Sequence, residues 1–407
     1  MKILLLGSLI SSEEVEKFNN NSKEKASVAP INYETMLAKG LIENGVDLEA
    51  LSVPPVAAYP HSVYKKIDAK NEIVEKNILV QWIPFINIQG IKQYTIQKST
   101  KKFLKKWLDE NKYVKDKIVI MYSIYPPYSK PAIDLCKKYG CHLSTVITDL
   151  PEYMYSWKKM KGIKGLYSKK ISKQMLSLQD KCDSYILFTK PMAKRMNIEN
   201  KPYLVSEGFS DFSIFNEIGN VEKYKKKTIV YGGNLSNLYG IRNLVDGFML
   251  TDLNVELHLY GSGRDSSYIE NCAQKDNRIK FKGMVKRKDL LEALKKAHLL
   301  VINKPTNDDY SNYSFSSKIL EYMSSGTPIL TTRVGGMPKE YYEYCYFIDD
   351  ESPEGIAEAI KNTITLSGSL LREKGMDARD FTNNKKNHKS MTKKIVRFLN
   401  EQIYGER

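Results

Sequence analysis

The sequence predicts an α/β protein built from two Rossmann-like domains, and three observations carry that expectation. Short runs of β-branched and aliphatic residues alternate with amphipathic stretches through both halves, the pattern of a mostly parallel sheet flanked by helices. The rhythm pauses once, over residues 209–227 (FSDFSIFNEIGNVEKYKKK), which lack a clear period and end in a lysine run. At 407 residues the chain exceeds a single core of ordinary size, so two domains of about 200 residues each are expected. The expected boundaries are residues 1–208 for the first domain, 209–227 for a linker and 228–382 for the second domain. A C-terminal amphipathic helix over residues 383–407 could pack back on the first domain.

Taken in order, KILLLG, VDLEALSV, ILVQWIPF, KIVIMYSIY, HLSTVITDL and SYILFT read as strands of the first domain. Helical patterns such as YETMLAKGLIENG, TKKFLKKWLDEN, AIDLCKKYG and GIKGLYSKKISKQMLSLQDK separate them. FNNNSKEK, near residue 20, reads as a mobile loop. After the pause, TIVYGGN, VELHLYGSG, IKFKG, LLVIN, PILTTR and CYFID repeat the alternation.

Composition narrows the partners. The chain holds 63 Lys and Arg against 47 Asp and Glu, a net charge of +16. Residues 1–200 contribute 32 of those bases against 20 of the acids. Such a balance fits nucleotides, anionic lipid or nucleic acid, and the last is set aside because no recognition motif accompanies the charge. Five scattered cysteines without CxxC spacing argue for reduced thiols and against a zinc site, which suits the cytoplasm. The opening MKILLLGSLI is too short for a signal peptide and reads as a buried first strand. No run approaches the roughly 18 apolar residues that span a bilayer.

Ligands of open α/β sheets collect at the carboxyl ends of strands. There, Gly232 and Gly233 end TIVYGG, where glycine lets a phosphate approach the backbone; a tight turn explains the pair equally well. Gly261 and Gly263 of LYGSGRD carry the same two readings. In SFSSKILEYMSSG, Ser316 or Ser317 suits an N-cap, and Lys318 beside the free amides of that helix start makes an anion site. Glu321 stands one turn on, placed to accept the hydroxyls of a ribose. A Lys318–Glu321 surface pair is the plainer alternative. Asp149, which ends VITD, orients a hydroxyl or caps the following helix. Residues 153–179 contain Lys158, Lys159, Lys161, Lys164, Lys169, Lys170 and Lys173 among Trp157, Met160, Ile163, Tyr167, Ile171 and Met175. That pattern suits an anionic membrane surface, or a solvated helix whose apolar stripe faces the core.

In order, YGGNLSNLYGIRNLVDGF, LHLYGSGRD, IKFKGMVKRKDLLEALKKAHLLVIN and SFSSKILEYMSSGTPILTTRVGGMPK resemble the C-terminal domain of family-four glycosyltransferases of the GT-B fold, those of bacterial capsule and envelope polysaccharides. The resemblance covers about residues 228–345. It implies two domains facing each other across a cleft, the second holding a nucleotide sugar with UDP as the expected base and the first a glycan or lipid-linked saccharide. It also implies retention at the anomeric carbon, no metal and no cofactor beyond the donor itself. Glu321 would bind the ribose, Met284 and Val285 would face the base through their backbone, and Gly232 and Gly233 would lie under the diphosphate. Two cations common in that first loop are replaced here by Asn234 and Tyr239, and Tyr313 stands where the first of two glutamates is usual. Lys318 is the expected replacement, with Arg242 and a neutral hydrogen bond from Asn234 in support; Lys318 and Asp149 are the catalytic candidates. A non-catalytic subunit that binds a partner glycosyltransferase or a glycan is the alternative. The expected location is cytoplasmic, extending to the inner membrane face if the basic helix docks there.

Overall fold

A computed structural model describes residues 1–75, 77–154 and 162–405 and divides the chain into two compact units. One is Met1–Gly208 with His388–Arg407, the other Phe209–Asn387.

The first unit contains β1 (Lys2–Gly7), β2 (Asp47–Ser52), β3 (Lys66–Ile67), β4 (Asn71–Val74), β5 (Ile78–Trp82), β6 (Phe85–Ile86), β7 (Lys117–Tyr122), β8 (His142–Ile147), β9 (Ser184–Leu187) and β10 (Tyr203–Val205). Eight of them form one sheet in the order β10-β9-β8-β7-β1-β2-β5-β4, parallel except for the β4–β5 edge pair. β3 and β6 form a separate antiparallel ribbon. β7 is buried along its whole length, which is why KIVIMY reads as a continuous apolar run: helices cover both faces of a parallel sheet. β4 and β10 stand at the two edges of this sheet, where β4 buries only Val74 and β10 buries no residue fully, so neither leaves a core-facing apolar run in the sequence.

The loop expected around FNNNSKEK begins as helix. Residues Ser12–Asn20 are helical, and the Ser11 hydroxyl accepts from the Glu14 amide as N-cap. The C-terminal helix spans His388–Tyr404 and packs on the helix Ala29–Glu43. It buries Met391, Ile395 and Leu399, and Asn44 Nδ2 donates to the Lys389 carbonyl at 3.0 Å. Close approach requires Gly40, where a Cβ would lie 2.4 Å from Thr392 Oγ1. Residues 383–385 belong to the preceding helix, Gly368–Lys385.

Of the basic segment, residues 155–161 lie outside the described residues, Trp157, Lys158, Lys159, Met160 and Lys161 among them. The helix Gly162–Leu178 follows. Along residues 169–175 it buries Ile171 and Met175 and exposes Lys169, Lys170 and Lys173, so that stretch of the apolar stripe faces the core.

The second unit contains β11 (Thr228–Asn234), β12 (Glu256–Ser262), β13 (Ile279–Gly283), β14 (Leu299–Ile302), β15 (Ile329–Thr332) and β16 (Tyr346–Ile348). They form an all-parallel sheet in the order β13-β12-β11-β14-β15-β16, the strand order of nucleotide-binding Rossmann sheets. Alternate residues of β11 and β14 feed opposite faces. Val230, Leu300 and Ile302 pack with Ile319, Leu320 and Met323. Ile229, Leu299 and Val301 pack with Leu244, Phe248 and Ile356. Residues 209–227 fold inside this unit, with a helix at Ser213–Ile218 whose Phe215 is buried in the core. One turn and a half of helix is too short to show a period, which is why the stretch reads as a linker.

Candidate active site

The strand order reverses between β11 and β14, and in such sheets a crevice opens at the carboxyl ends of the two diverging strands. β11 reaches that edge through two glycines with different tasks. Gly232 N–H donates to the Tyr322 hydroxyl at 2.7 Å, and that hydroxyl donates back to the Gly232 carbonyl at 3.2 Å. The fully buried tyrosine thereby pins the loop to the helix Ser317–Ser324. Gly233 has φ 149°, and a Cβ there would lie 2.1 Å from Lys318 Nζ. The absent side chain of Gly233 is the space into which the lysine ammonium fits.

Lys318 Nζ donates to Tyr231 Oη at 3.0 Å and lies over the Tyr231 and Tyr239 rings, 4.5 and 5.5 Å from their centroids. Burial lowers its pKa to about 8, with Glu321 opposing the shift and Lys304 adding to it. The sequence reading missed Lys304, which is 6 % exposed just past β14, donates to the Ser314 hydroxyl and lies over the Tyr310 ring. Its place at a strand's carboxyl end was the available signal. Two lysines thus charge an edge from which the first-loop cations are missing.

Ser316 occupies the N-cap position of the Ser317–Ser324 helix by its backbone angles, but its side chain makes no capping bond. The expected hydroxyl cap is therefore absent, and Ile319 N–H instead donates to the Ser316 carbonyl at 2.9 Å. Ser317 is exposed at the first helical position. Glu321 does not form the surface pair with Lys318. Its Oε2 accepts from Arg287 Nη2 at 2.7 Å, on a side chain only 19 % exposed. Arg287 opens the helix that follows Met284 and Val285, so the loop expected to face a base also holds the carboxylate expected to bind a ribose. Met284 is 74 % exposed and Val285 packs on the core.

The remaining candidates have other partners. Arg242 Nε donates to Asp265 Oδ1 at 2.6 Å and its guanidinium lies over the Tyr268 ring, while Asp265 Oδ2 accepts from the Asn237 amide. This arginine braces the loop. Gly261 and Gly263 serve close packing of the loops after β11 and β12, since their Cβ atoms would lie 1.8 Å from the Gly233 carbonyl oxygen and 2.1 Å from that of Leu235. Asn234 is exposed beside them.

In the first unit, Asp149 follows the carboxyl end of β8, and its charge helps raise the Tyr122 phenol pKa, which burial raises most. An acid unnoticed in the sequence stands at the equivalent end of β1. Glu34 is fully buried, with its carboxylate accepting from Ser8 N–H at 2.9 and 3.0 Å and from Ser8 Oγ at 2.6 Å. It sits 2.0 Å from where a Cβ on Gly7 would be, and burial raises its pKa to about 7. Among the described residues, no three His, Cys, Asp or Glu side chains are grouped to hold a metal ion.

Comparison with known proteins bears on the family and the fold. Residues 226–365 match the family profile of the group 1 glycosyl transferases, within the second unit. No protein of curated function matches the chain in sequence. Among solved structures, it is similar in fold to a sucrose-phosphate synthase from Thermosynechococcus elongatus, with a TM-score of 0.65 and 14 % identity over 100 % of both chains. Anabaena Alr3699/HepE in complex with UDP gives a TM-score of 0.62 and 13 % identity over 98 % of this chain and 100 % of that one. An α,α-trehalose 6-phosphate synthase from Burkholderia multivorans gives 0.65 and 9 % over 98 % of each chain.

Proposed function

Taking the chain as a sugar-transferring enzyme of the GT-B fold, we propose that it moves a sugar from a UDP-sugar to a glycan or lipid-linked saccharide, with retention and without a metal. The observation that carries the reading is the Lys318 ammonium lodged against the Gly233 backbone at the start of the Ser317–Ser324 helix. A diphosphate on that edge meets Lys318, the nearby charge of Lys304 and the N-terminal amides of the helix, whose dipole adds to the same sign. These groups face the charge that grows on the leaving phosphate as the bond to the anomeric carbon breaks. Glu321, oriented by Arg287 before the donor arrives, takes the ribose hydroxyls. The acceptor oxygen forms the new glycosidic bond, and its proton passes to the departing diphosphate. Asp149, just past the carboxyl end of β8, is the group of the first unit proposed to orient an acceptor hydroxyl bound to that unit.

The test is transfer from a panel of nucleotide sugars to saccharide acceptors, followed by nuclear magnetic resonance of the product in the presence of a chelator. The expected product keeps the donor's anomeric configuration and forms undiminished in chelator. Lys318→Ala is expected to lower kcat about 100- to 1,000-fold, the usual cost of one oxyanion-stabilising donor. An inverted product, or activity that the chelator abolishes, would overturn the mechanism.

A further inference from the structure

Residues 59–94 of the first unit carry a concentration of exposed apolar side chains that no described element of that unit covers. Tyr59, Ile86, Ile88, Ile91 and Tyr94 are between 36 and 69 % exposed. Backbone bonds hold them together. Tyr59 N–H donates to the Asn87 carbonyl at 2.7 Å, and Ile91 N–H donates to the Ile88 carbonyl at 3.2 Å. Thr95 Oγ1 accepts from Ile86 N–H at 3.2 Å, fixing the start of the helix Lys92–Glu110 beside β6. Ile86 and Ile88 share one side of the chain, because the intervening Asn87 turns inward, fully buried, and donates to the Ala57 carbonyl at 2.7 Å.

Charge says what covers the patch. No acid occurs between Glu75 and Asp109 in the sequence. The helix Lys92–Glu110 leaves Lys98, Lys101 and Lys102 exposed, and these three form no ion pair among the described residues. Lys65 lies over the Tyr59 ring, 5.0 Å from its centroid. The acids at the margin are engaged locally, Asp68 with Lys66 and Glu24 with His61. Isoleucines and tyrosines next to unpaired lysines fit the boundary between acyl chains and anionic headgroups: the apolar side chains enter, the tyrosines sit at headgroup level and the lysines pair with phosphate.

We propose that this face docks the protein on an anionic phospholipid surface. The patch lies outside the residues 153–179 first considered for that role, and the inference is independent of which acceptor is used. The test is co-sedimentation of the full chain with vesicles of phosphatidylcholine alone and of phosphatidylcholine with 30 % phosphatidylglycerol. Variants are Ile86→Ser/Ile88→Ser and Lys98→Glu/Lys101→Glu/Lys102→Glu, with UDP binding measured in parallel.

Binding to the anionic vesicles only, weakened by salt, is expected. The lysine variant should bind about 100-fold more weakly, since each cation near such a surface contributes about fivefold. The isoleucine variant should lose about tenfold or more. UDP affinity should stay unchanged in both, which separates this proposal from the donor site. Absence of binding to anionic vesicles, or binding that neither variant weakens, would overturn it. So would a dimer of the wild type that the isoleucine variant dissociates, because the patch would then cover a second copy of the chain.

Discussion

Lys318 combines its place against the Gly233 backbone with a pKa near 8, and if it binds the phosphates as proposed, that combination has a pH signature. The cation is present below pH 8 and lost above it, so nucleoside diphosphate affinity should fall by about tenfold per pH unit above 8. Titration calorimetry from pH 6.5 to 9.5 measures this, and Lys318→Ala should bind weakly with no such slope. Glu34 also loses its contribution as pH rises, and there the readout is stability. Its folded pKa of about 7 lies above the unfolded carboxylate's 4.5, so its favourable share is complete below pH 4.5 and lost as pH rises through 7. Desolvation outweighs the bonds from Ser8, and the shift is worth about 3 kcal/mol. Glu34→Gln should therefore flatten the fall in melting temperature that the wild type shows between pH 5 and 8. Neither residue's setting was legible in the sequence. Glu34 reads as one polar position in an amphipathic helix, and its burial depends on Ser8, 26 residues away. Lys304 went unnoticed because it follows an apolar strand and precedes Pro305, where a loop was the natural reading.

At the scale of elements, the loop after β11 and the helix Ser317–Ser324 act as one unit because Gly233 has no side chain. Gly233→Ala places a Cβ against Lys318 and forces φ 149° on a residue that avoids it. The strain should cost about 1–3 kcal/mol, read as a lower denaturation midpoint. Displacement of the ammonium should weaken nucleotide binding at least about tenfold. The sequence made both elements legible: a glycine pair ending a strand, and Ser-Lys before an apolar helix with Glu321 one turn on. It did not show how glycine and lysine interlock, nor that Glu321 pairs with Arg287, 34 residues earlier, instead of with Lys318. Such pairings depend on how strands are ordered across the sheet. Apolar runs buried inside a sheet announced themselves, whereas β4 and β10 stand half-exposed at the two sheet edges and did not.

At the scale of the whole molecule, the first unit is discontinuous, closed by the helix His388–Tyr404 on the helix Ala29–Glu43. Truncation after Asn387 strips cover from that face and removes the burial of Met391, Ile395 and Leu399, at about 1.5–3 kcal/mol each. That sum rivals the stability of a domain, so the truncated chain should be insoluble or melt in two separate steps with the second unit intact. The six parallel strands of the second unit were foreseeable from their rhythm, because each apolar run is followed by a helix of sufficient length to cross back; their order across the sheet was not. The proposed donor site lies at the edge where that order reverses. The central claim is that Lys318 and Glu321 hold a nucleoside diphosphate there. It is tested most directly by calorimetric titration of UDP, GDP, TDP and ADP into the wild type, Lys318→Ala and Glu321→Ala. The account predicts that UDP binds and that both variants, still folded, lose at least about tenfold in affinity. UDP binding with equal strength in all three proteins, or no nucleotide binding to the wild type, would contradict it.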